Sequence, residues 1–238
     1  HSLTSNMPQA PDHFSRCSEI NRLGPALMQD LMPPAPMDPR SFAQRANSGQ
    51  AMVLDVRSYP AFSGLHIPGA WHIDLAGSFA TQAGWIIPPE RDILLVVEGM
   101  PQVALAALQL RRVGLDRVTA YLDGGMLSWG ANALPVGRVP VVSPVRAHEL
   151  LESGQATLID VRSVEEKTAE HAKGSIDIAW HDLRTRYREL DPQGRYILMC
   201  KGGQRASIAS SILKMKGFSS VCNLAGGFMA YQRSGYIP

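Results

Sequence analysis

Residues 196–207 read Tyr196-Ile-Leu-Met-Cys200-Lys-Gly-Gly-Gln-Arg205-Ala-Ser, and the rest of this 238-residue chain is organised around them. The apolar run before the cysteine predicts a short buried strand, because it is too short and too tightly bounded for a helix. Helical spacing of apolar residues after the glycines predicts a helix over 206–216. Backbone N–H groups and the helix dipole favour an anion where such a strand meets such a helix. We therefore expect Cys200 to be held toward its thiolate form, with Lys201 and Arg205 as further cations.

An inert, buried cysteine is the alternative interpretation of position 200, since free cysteines are often buried. A packing cysteine would need neither the glycines nor the flanking cations. Two glycines and two cations within the loop therefore favour a reactive cysteine.

The loop Cys200-x-x-Gly203-x-Arg205 after a strand resembles the active-site loop of rhodaneses, which are sulfurtransferases. Three further motifs match the family in order and spacing. They are Leu158-Ile-Asp160-Val-Arg162 and His171-x-x-Gly174 before the loop and Leu224-Ala-Gly226-Gly227 after it. The resemblance covers roughly residues 38–238, and it implies the rhodanese fold over that range.

The chain contains two copies of one sequence pattern. Val53-Leu-Asp55-Val-Arg57-Ser58 recurs as Leu158-Ile-Asp160-Val-Arg162-Ser163, and His66-x-x-Gly69 recurs as His171-x-x-Gly174. Self-similarity that spans about half the chain predicts two copies of one domain. Short strands alternate with helical patterns in each copy, which predicts the α/β class: two rhodanese-like domains, each a mainly parallel sheet with helices on both faces.

We divide the chain into an N-terminal arm over 1–37, a first domain over 38–136 and a second domain over 143–238. Six prolines punctuate the arm, so that only Pro25 to Leu31 is predicted to form a short helix. The stretch from Asp12 to Pro25 resembles the tail of the metallo-β-lactamase-fold module that bacterial proteins fuse to rhodanese domains, a persulfide dioxygenase-like group. The resemblance implies that the arm is the remnant of such a module, fused or associated with this chain.

The two copies differ at the reactive position. Aligning Gly114 with Gly217 places Val97 opposite Cys200 and Gln102 opposite Arg205. The first copy therefore has no thiol and no loop cation, and Glu98 beside the loop would repel an anionic donor. We predict an inactive first domain that packs against the second and helps to wall its cleft.

For the second copy the resemblance implies double displacement through a covalent Cys200 persulfide. The donor is thiosulfate or a low-molecular-weight persulfide, and the acceptor is a thiol, or cyanide in assays. Cys200 and Arg205 are the expected catalytic residues. The donor is expected to bind the loop residues Lys201, Gly202, Gly203, Gln204, Arg205 and Ala206. Structural support is expected from Asp160, Arg162 and His171.

Two other functions remain open at this point. Both copies would serve as docking or sulfur-carrier surfaces of a larger persulfide-processing protein if the module were not an enzyme. Cysteine-dependent phosphatases are the lesser alternative, but they enclose five residues between cysteine and arginine, whereas Cys200 and Arg205 enclose four. We interpret Cys222 as a core residue rather than a resolving thiol, and we leave Trp180 and His181 open between cleft and surface.

Composition bounds the remaining classes. A net charge of +2 without a dense basic run argues against a nucleic-acid partner. Three cysteines are too few for a disulfide framework and indicate a reducing, cytoplasmic compartment. No apolar run approaches the length of a membrane span, so no membrane partner is expected. Because His1, His13 and Cys17 fit no compact zinc pattern, we expect no metal and no cofactor beyond the covalent persulfide.

Overall fold

The structure is a computed structural model that describes residues 11–24, 26 and 31–236. It contains two parallel β-sheets of five strands each, with helices packed against them. Alternate residues of one strand pack into different apolar clusters: Met52 and Leu54 into one, Ala51 and Val53 into another. Each face of that sheet is therefore covered, and the predicted α/β class is confirmed.

The elements of the first half begin with a helix and then alternate strictly between strand and helix. The strands are β1 (Ala35–Met37), β2 (Ala51–Asp55), β3 (Trp71–His72), β4 (Asp92–Val96) and β5 (Val118–Leu122). The helices are α1 (His13–Leu23), α2 (Pro39–Asn47), α3 (Tyr59–Gly64), α4 (Phe79–Ile86), α5 (Met100–Arg111) and α6 (Gly125–Ala131).

The second half repeats this alternation. Its strands are β6 (Val141–Val142), β7 (Thr157–Asp160), β8 (Ile176–Asp177), β9 (Tyr196–Met199) and β10 (Val221–Leu224). Its helices are α7 (Pro144–Glu152), α8 (Val164–Ala169), α9 (Leu183–Arg186), α10 (Gln204–Met215) and α11 (Gly227–Arg233), with a 3₁₀ turn over Tyr187–Glu189.

The two sheets have the same topology. Strand order is β1-β5-β4-β2-β3 in the first and β6-β10-β9-β7-β8 in the second. In the second sheet β9 occupies the centre, between β10 and β7. Sites in open parallel sheets lie beyond the carboxyl ends of such strands, so the end of β9 at Met199 places residue 200 where chemistry is expected.

One apolar cluster continues from the first domain into the second. It joins Ile73 and Phe79 of the first half to Ile208 and Ile212 of α10. A polar contact lies within the same interface, where His72 Nδ1 and the hydroxyl oxygen of Ser207 are 2.9 Å apart. Helix α10 is thus packed against both its own sheet and the first domain.

The region before the first sheet differs from the prediction. Helix α1 occupies His13–Leu23, whereas the helix predicted over 25–31 lies mostly outside the described residues. The guanidinium of Arg16 donates to the Val113 carbonyl at 2.7 Å, and Asp12 pairs with Arg184 of the second domain at 2.8 Å. Few apolar residues mark α1, and long-range polar contacts of this kind have no sequence period.

Two short edge strands also lie in segments predicted to be arm and linker. β1 pairs with β5, and β6 pairs with β10. Proline-containing segments such as Ala35–Met37 are tolerated at a sheet edge, where one side needs no ladder partner. Among the described residues, no helix combines the length and apolar character needed to cross a membrane.

Candidate active site

Cys200 lies between the end of β9 and the start of α10. The Gly203 N–H donates to the Cys200 sulfur at 3.1 Å, immediately before the first turn of this twelve-residue helix. Gly203 has a φ of +115°, which side-chain-bearing residues rarely adopt. A Cβ at Gly203 would also lie 3.2 Å from the Tyr59 ring of the first domain. The glycine therefore meets two requirements, backbone conformation and close approach of the neighbouring domain.

The sulfur is sheltered, although the loop around it is open. Cys200 is only 2% exposed, and Ala206 is fully buried beneath the loop. Lys201, Gly202 and Gln204 are exposed. A donor can therefore reach the thiol only with a narrow terminal group. On the way it passes the Lys201 cation and backbone N–H groups of the loop.

A buried ion pair braces the cysteine from behind. The Arg162 guanidinium donates to both carboxylate oxygens of Asp160, at 2.7, 2.9 and 3.0 Å, and both side chains are buried. The Arg162 guanidinium lies 3.7 Å from the centroid of the Phe228 ring. The Phe228 N–H in turn donates to the Cys200 carbonyl at 2.8 Å. The pair is thus linked to the Cys200 backbone through one residue, because Phe228 contacts Arg162 with its ring and Cys200 with its N–H.

The glycine pair before α11 allows a close approach to the same backbone. Gly226 and Gly227 have φ of +66° and +59°, which agrees with the tight turn predicted there. A Cβ at Gly227 would lie within 2.1 Å of the Cys200 carbonyl oxygen. Only glycine fits at that position.

Arg205 is paired with Glu166, which was not among the predicted site residues. Its two terminal nitrogens donate to the two carboxylate oxygens of Glu166, at 2.5 and 2.7 Å. Bonding to Arg205 lowers the pKa of Glu166 to about 2. The same bond raises the pKa of Arg205, burial opposes the rise, and the nearby charge of Cys200 adds to it. The loop cation is therefore charge-compensated.

A sequence signal for Glu166 existed, but it indicated a different role. Ser163-x-x-Glu166 is a capping-box pattern, and both of its reciprocal bonds are present. The pattern predicts the start of α8. It does not predict that the same carboxylate also reaches an arginine 39 residues away in sequence.

His171 does not give the support that was expected of it. Its side chain is 53% exposed, with Nδ1 lying 3.9 Å from an Asp177 oxygen. The bond that secures the end of α8 comes instead from Arg162, which donates to the Glu170 carbonyl at 2.7 Å. In the first copy the matching His66 is buried and bonds the Phe62 carbonyl at 2.8 Å.

The remaining candidate residues occupy the core or the domain interface. Cys222 is buried in an apolar cluster, as predicted, and burial raises the pKa of its thiol to about 11. Trp180 is buried, and the His181 ring stacks on Trp85 of the first domain at 4.3 Å between centroids. His181 is thus part of the contact between domains.

The first domain has a differently built loop at the matching position. Val97 is buried where the second copy has its cysteine. Glu98 is exposed, and it accepts bonds from the Ser58 N–H and hydroxyl at 3.2 and 2.8 Å. Gln102 accepts from the Glu98 N–H at 2.8 Å. The adjacent cavity, of about 470 Å³, is lined by the acids Glu98 and Asp123 and by Arg57, whose charge is compensated by Asp55.

The described residues contain no group of three or more His, Cys, Asp and Glu side chains arranged to hold a metal ion. The groups that the loop itself presents are one thiol, backbone N–H donors, and the side chains of Lys201 and Arg205.

Comparisons with known proteins identify relatives of parts of the chain. Two proteins named tRNA uridine(34) hydroxylase match it. The first, from Chlamydia felis, is 35% identical over 98 residues, which are 38% of this chain and 30% of that protein. The second, from Chlamydia abortus, is 34% identical over 127 residues, which are 48% of this chain and 38% of that protein. The chain thus spans about a third of the length of these curated relatives.

Solved structures include similar folds. A thiosulfate sulfurtransferase from Pseudomonas aeruginosa is 22% identical with a TM-score of 0.38, covering 84% of this chain and 42% of that one. The human single-domain sulfurtransferase TSTD1 is 25% identical with a TM-score of 0.37, covering 40% of this chain and 96% of that one. The rhodanese-like domain family matches twice, over residues 38–132 and 143–234, and the chain therefore belongs to that family.

Proposed function

We propose that this chain is a sulfurtransferase of the rhodanese type, with one active site at Cys200. The observation that carries the proposal is the Gly203 N–H at 3.1 Å from the Cys200 sulfur, at the start of α10. A backbone donor and a helix N-terminus favour negative charge on that sulfur, and a persulfide formed there would have the same charge.

The proposed reaction has two displacements. The Cys200 thiolate attacks the outer sulfur of the donor, a new S–S bond forms, and the bond between the donor's outer and inner sulfur breaks. The electron pair leaves on sulfite when the donor is thiosulfate, or on a thiolate when it is a persulfide. A thiolate or cyanide then attacks the outer sulfur of the Cys200 persulfide, and Cys200 departs as a thiolate. No external oxidant or reductant is needed.

Shelter of the thiol supports a slim sulfane donor. Because Cys200 is only 2% exposed, a donor with a narrow terminal sulfur reaches it more readily than a donor with a bulky reacting group does. Lys201 is exposed at the loop and is proposed to attract the anion. The Tyr59 ring against Gly203 supports the proposal that the inactive first domain walls the cleft.

Two alternatives make different predictions. A sulfur-carrier module would accept sulfur on Cys200 but release it only to a particular protein. A phosphatase would hydrolyse an aryl phosphate, which the four-residue loop and the sheltered thiol argue against. The hydroxylation named for the chlamydial relatives remains theirs, because the matches cover 30% and 38% of those proteins.

The test is a turnover assay on the purified chain. With thiosulfate or glutathione persulfide as donor and cyanide or a thiol as acceptor, we expect activity that Cys200→Ser abolishes and Cys222→Ser leaves unchanged. Stoichiometric loading of Cys200 without release to any small acceptor would indicate the carrier. Equal activity in Cys200→Ser would contradict the proposal.

We also propose that the physiological form is cytoplasmic and carries, or associates with, a metallo-β-lactamase-fold module at its N-terminal side. The support is the sequence resemblance over Asp12 to Pro25. An antibody against the second domain should then detect a cellular polypeptide larger than 238 residues, or co-precipitate such a module. A cellular product of 238 residues without that partner would contradict the proposal.

A further inference from the structure

We propose that Glu166 determines donor specificity through Arg205, by disfavouring donors with two negative charges, such as thiosulfate, relative to persulfides with one. The inference rests on the proposed sulfur transfer at Cys200 and concerns which class of donor that site prefers. Glu166 is a positioning residue in this account, since it acts through Arg205.

The Glu166 carboxylate accepts hydrogen bonds from two residues, Arg205 and Ser163. Both carboxylate oxygens accept from Arg205, at 2.5 and 2.7 Å, so the terminal nitrogens of the guanidinium are engaged. The Ser163 N–H donates to the same carboxylate at 3.0 Å and anchors it to the first turn of α8. The side chains of Arg205 and Glu166 are 22% and 30% exposed. A two-point ion pair with a third anchor is a persistent feature of the loop.

The charge seen by a donor follows from this pairing. Because the pKa of Glu166 is about 2, its carboxylate is ionised at neutral pH. Arg205 is therefore compensated, as Arg162 is by Asp160. Among the residues that the structure describes, no carboxylate pairs with the exposed Lys201, which therefore adds its charge to the loop 200–206. The Glu166 carboxylate repels each negative charge of a donor, so its repulsion is larger for a donor with two charges than for a donor with one.

The inactive copy lacks both members of the pair. Ser58 corresponds to Ser163 in the repeat, so Ala61 occupies the position of Glu166, and Gln102 occupies that of Arg205. The helix start is retained in both copies, as α3 and α8 show, whereas the acid is present only beside the arginine. The carboxylate thus accompanies the loop cation and is not a requirement of the helix start.

The test compares Glu166→Gln with the parent chain by rapid quench and intact mass. The measured quantity is the second-order rate constant for persulfide formation on Cys200 with thiosulfate, which has two negative charges, and with cysteine persulfide, whose net charge is −1. We expect Glu166→Gln to raise the thiosulfate constant about tenfold, the effect of about 1.4 kcal/mol in a barrier. The persulfide constant should rise only about threefold, because the Coulomb energy of one charge is half that of two, and the thiosulfate constant should fall more steeply with added salt.

Two further variants separate charge from structure. Glutamine keeps an oxygen acceptor for Arg205 and Ser163, which protects the fold of Glu166→Gln. Glu166→Asp keeps the charge and should retain the parent donor ratio. Glu165→Gln removes the same charge one residue away without touching the Arg205 pair, and it should leave the ratio unchanged.

Three results would overturn the inference. Equal loss with both donors in Glu166→Gln would mean that Glu166 only holds the loop in place. An unchanged donor ratio would mean that the acid has no influence on the choice of donor. Absence of a Cys200 persulfide in the parent chain with every sulfane donor would overturn the proposed function itself, which distinguishes that failure from the other two.

Discussion

Two buried cysteines of the second domain have opposite surroundings. The Cys200 sulfur accepts a backbone N–H from Gly203 at 3.1 Å. The Cys222 sulfur faces the Tyr196 carbonyl at 3.5 Å, and burial raises the pKa of its thiol to about 11. A donor near sulfur favours the thiolate, and an acceptor with desolvation favours the thiol. Burial alone therefore does not decide whether a cysteine is reactive.

We predict that iodoacetamide at pH 8 leaves Cys222 unmodified in the folded chain and alkylates Cys200. With a pKa of about 11, Cys222 has about one thiolate in a thousand molecules at that pH. Peptide mass mapping measures both sites, and the same treatment in denaturant is the control, where both should react. Faster labelling of Cys222 than of Cys200 in the native state would contradict this distinction.

Gly227→Ala tests how closely the turn before α11 approaches the Cys200 backbone. The new Cβ would lie 2.1 Å from the Cys200 carbonyl oxygen, and φ is +59°. We expect a loss of about 2–4 kcal/mol in the free energy of unfolding, measured by urea denaturation. Gly125→Ala is the matched control, with φ of +57° but 3.3 Å to the Val97 carbonyl oxygen, and it should cost clearly less. Equal losses would show that backbone conformation alone matters.

Strands β7 and β9 bring together Cys200 and the buried Asp160–Arg162 ion pair, called the brace below. Asp160 ends β7 and pairs in register with Met199, the residue before Cys200. The first domain contains the same brace, since Arg57 donates to Asp55 at 2.7 Å and both are buried. The brace is therefore a feature of the fold, and only its position beside Cys200 connects it to chemistry.

We predict that Asp160→Asn and Asp55→Asn each destabilise the chain by about 3–5 kcal/mol, because each leaves a buried guanidinium without its counter-charge. Only Asp160→Asn should also slow persulfide formation, by roughly tenfold, since small displacements of reacting groups are costly. Urea denaturation and the rapid-quench rate constant, taken where both variants remain folded, provide the two measurements. An equal slowing by Asp55→Asn would contradict the role of the brace in the second domain.

Local patterns predicted the elements around the site well. The apolar run predicted β9, and helical spacing predicted 206–216 where α10 spans Gln204–Met215. The Glu166–Arg205 pair was not predicted, since nothing local links residues that far apart. Helix α1 was missed for a related reason, because its long-range bonds, such as Arg16 to the Val113 carbonyl, have no period in the sequence.

The first domain packs against helix α10, which begins four residues after Cys200. His72 is fully buried, with Nε2 lying 2.9 Å from the Arg57 carbonyl and Nδ1 2.9 Å from the Ser207 hydroxyl. The carbonyl can only accept, so Nε2 carries the proton, and the Ser207 hydroxyl donates to Nδ1. Burial lowers the pKa of His72, although Asp55 opposes that shift. His72 is therefore neutral in the folded state, at the interface between the two domains.

This arrangement predicts a pH dependence of stability. The folded state disfavours protonated His72, whereas the unfolded chain binds that proton near pH 6.5, so stability is present above that pH and is lost as the pH falls below it. Between pH 7.5 and 5.5 we expect His72→Gln to lose about 1 kcal/mol less than the parent chain, measured by urea denaturation. His13 and His66, whose pKa values are also lowered by burial, should contribute to the fall that remains. Identical pH profiles would contradict the role of His72.

Transfer through Cys200 is tested by mapping the added sulfur after the chain is incubated with thiosulfate or glutathione persulfide. We predict a gain of one sulfur atom per chain, located on Cys200, absent in Cys200→Ser and removed by cyanide. Sulfur on Cys17 or Cys222 with none on Cys200, or no added sulfur with any sulfane donor, would contradict it.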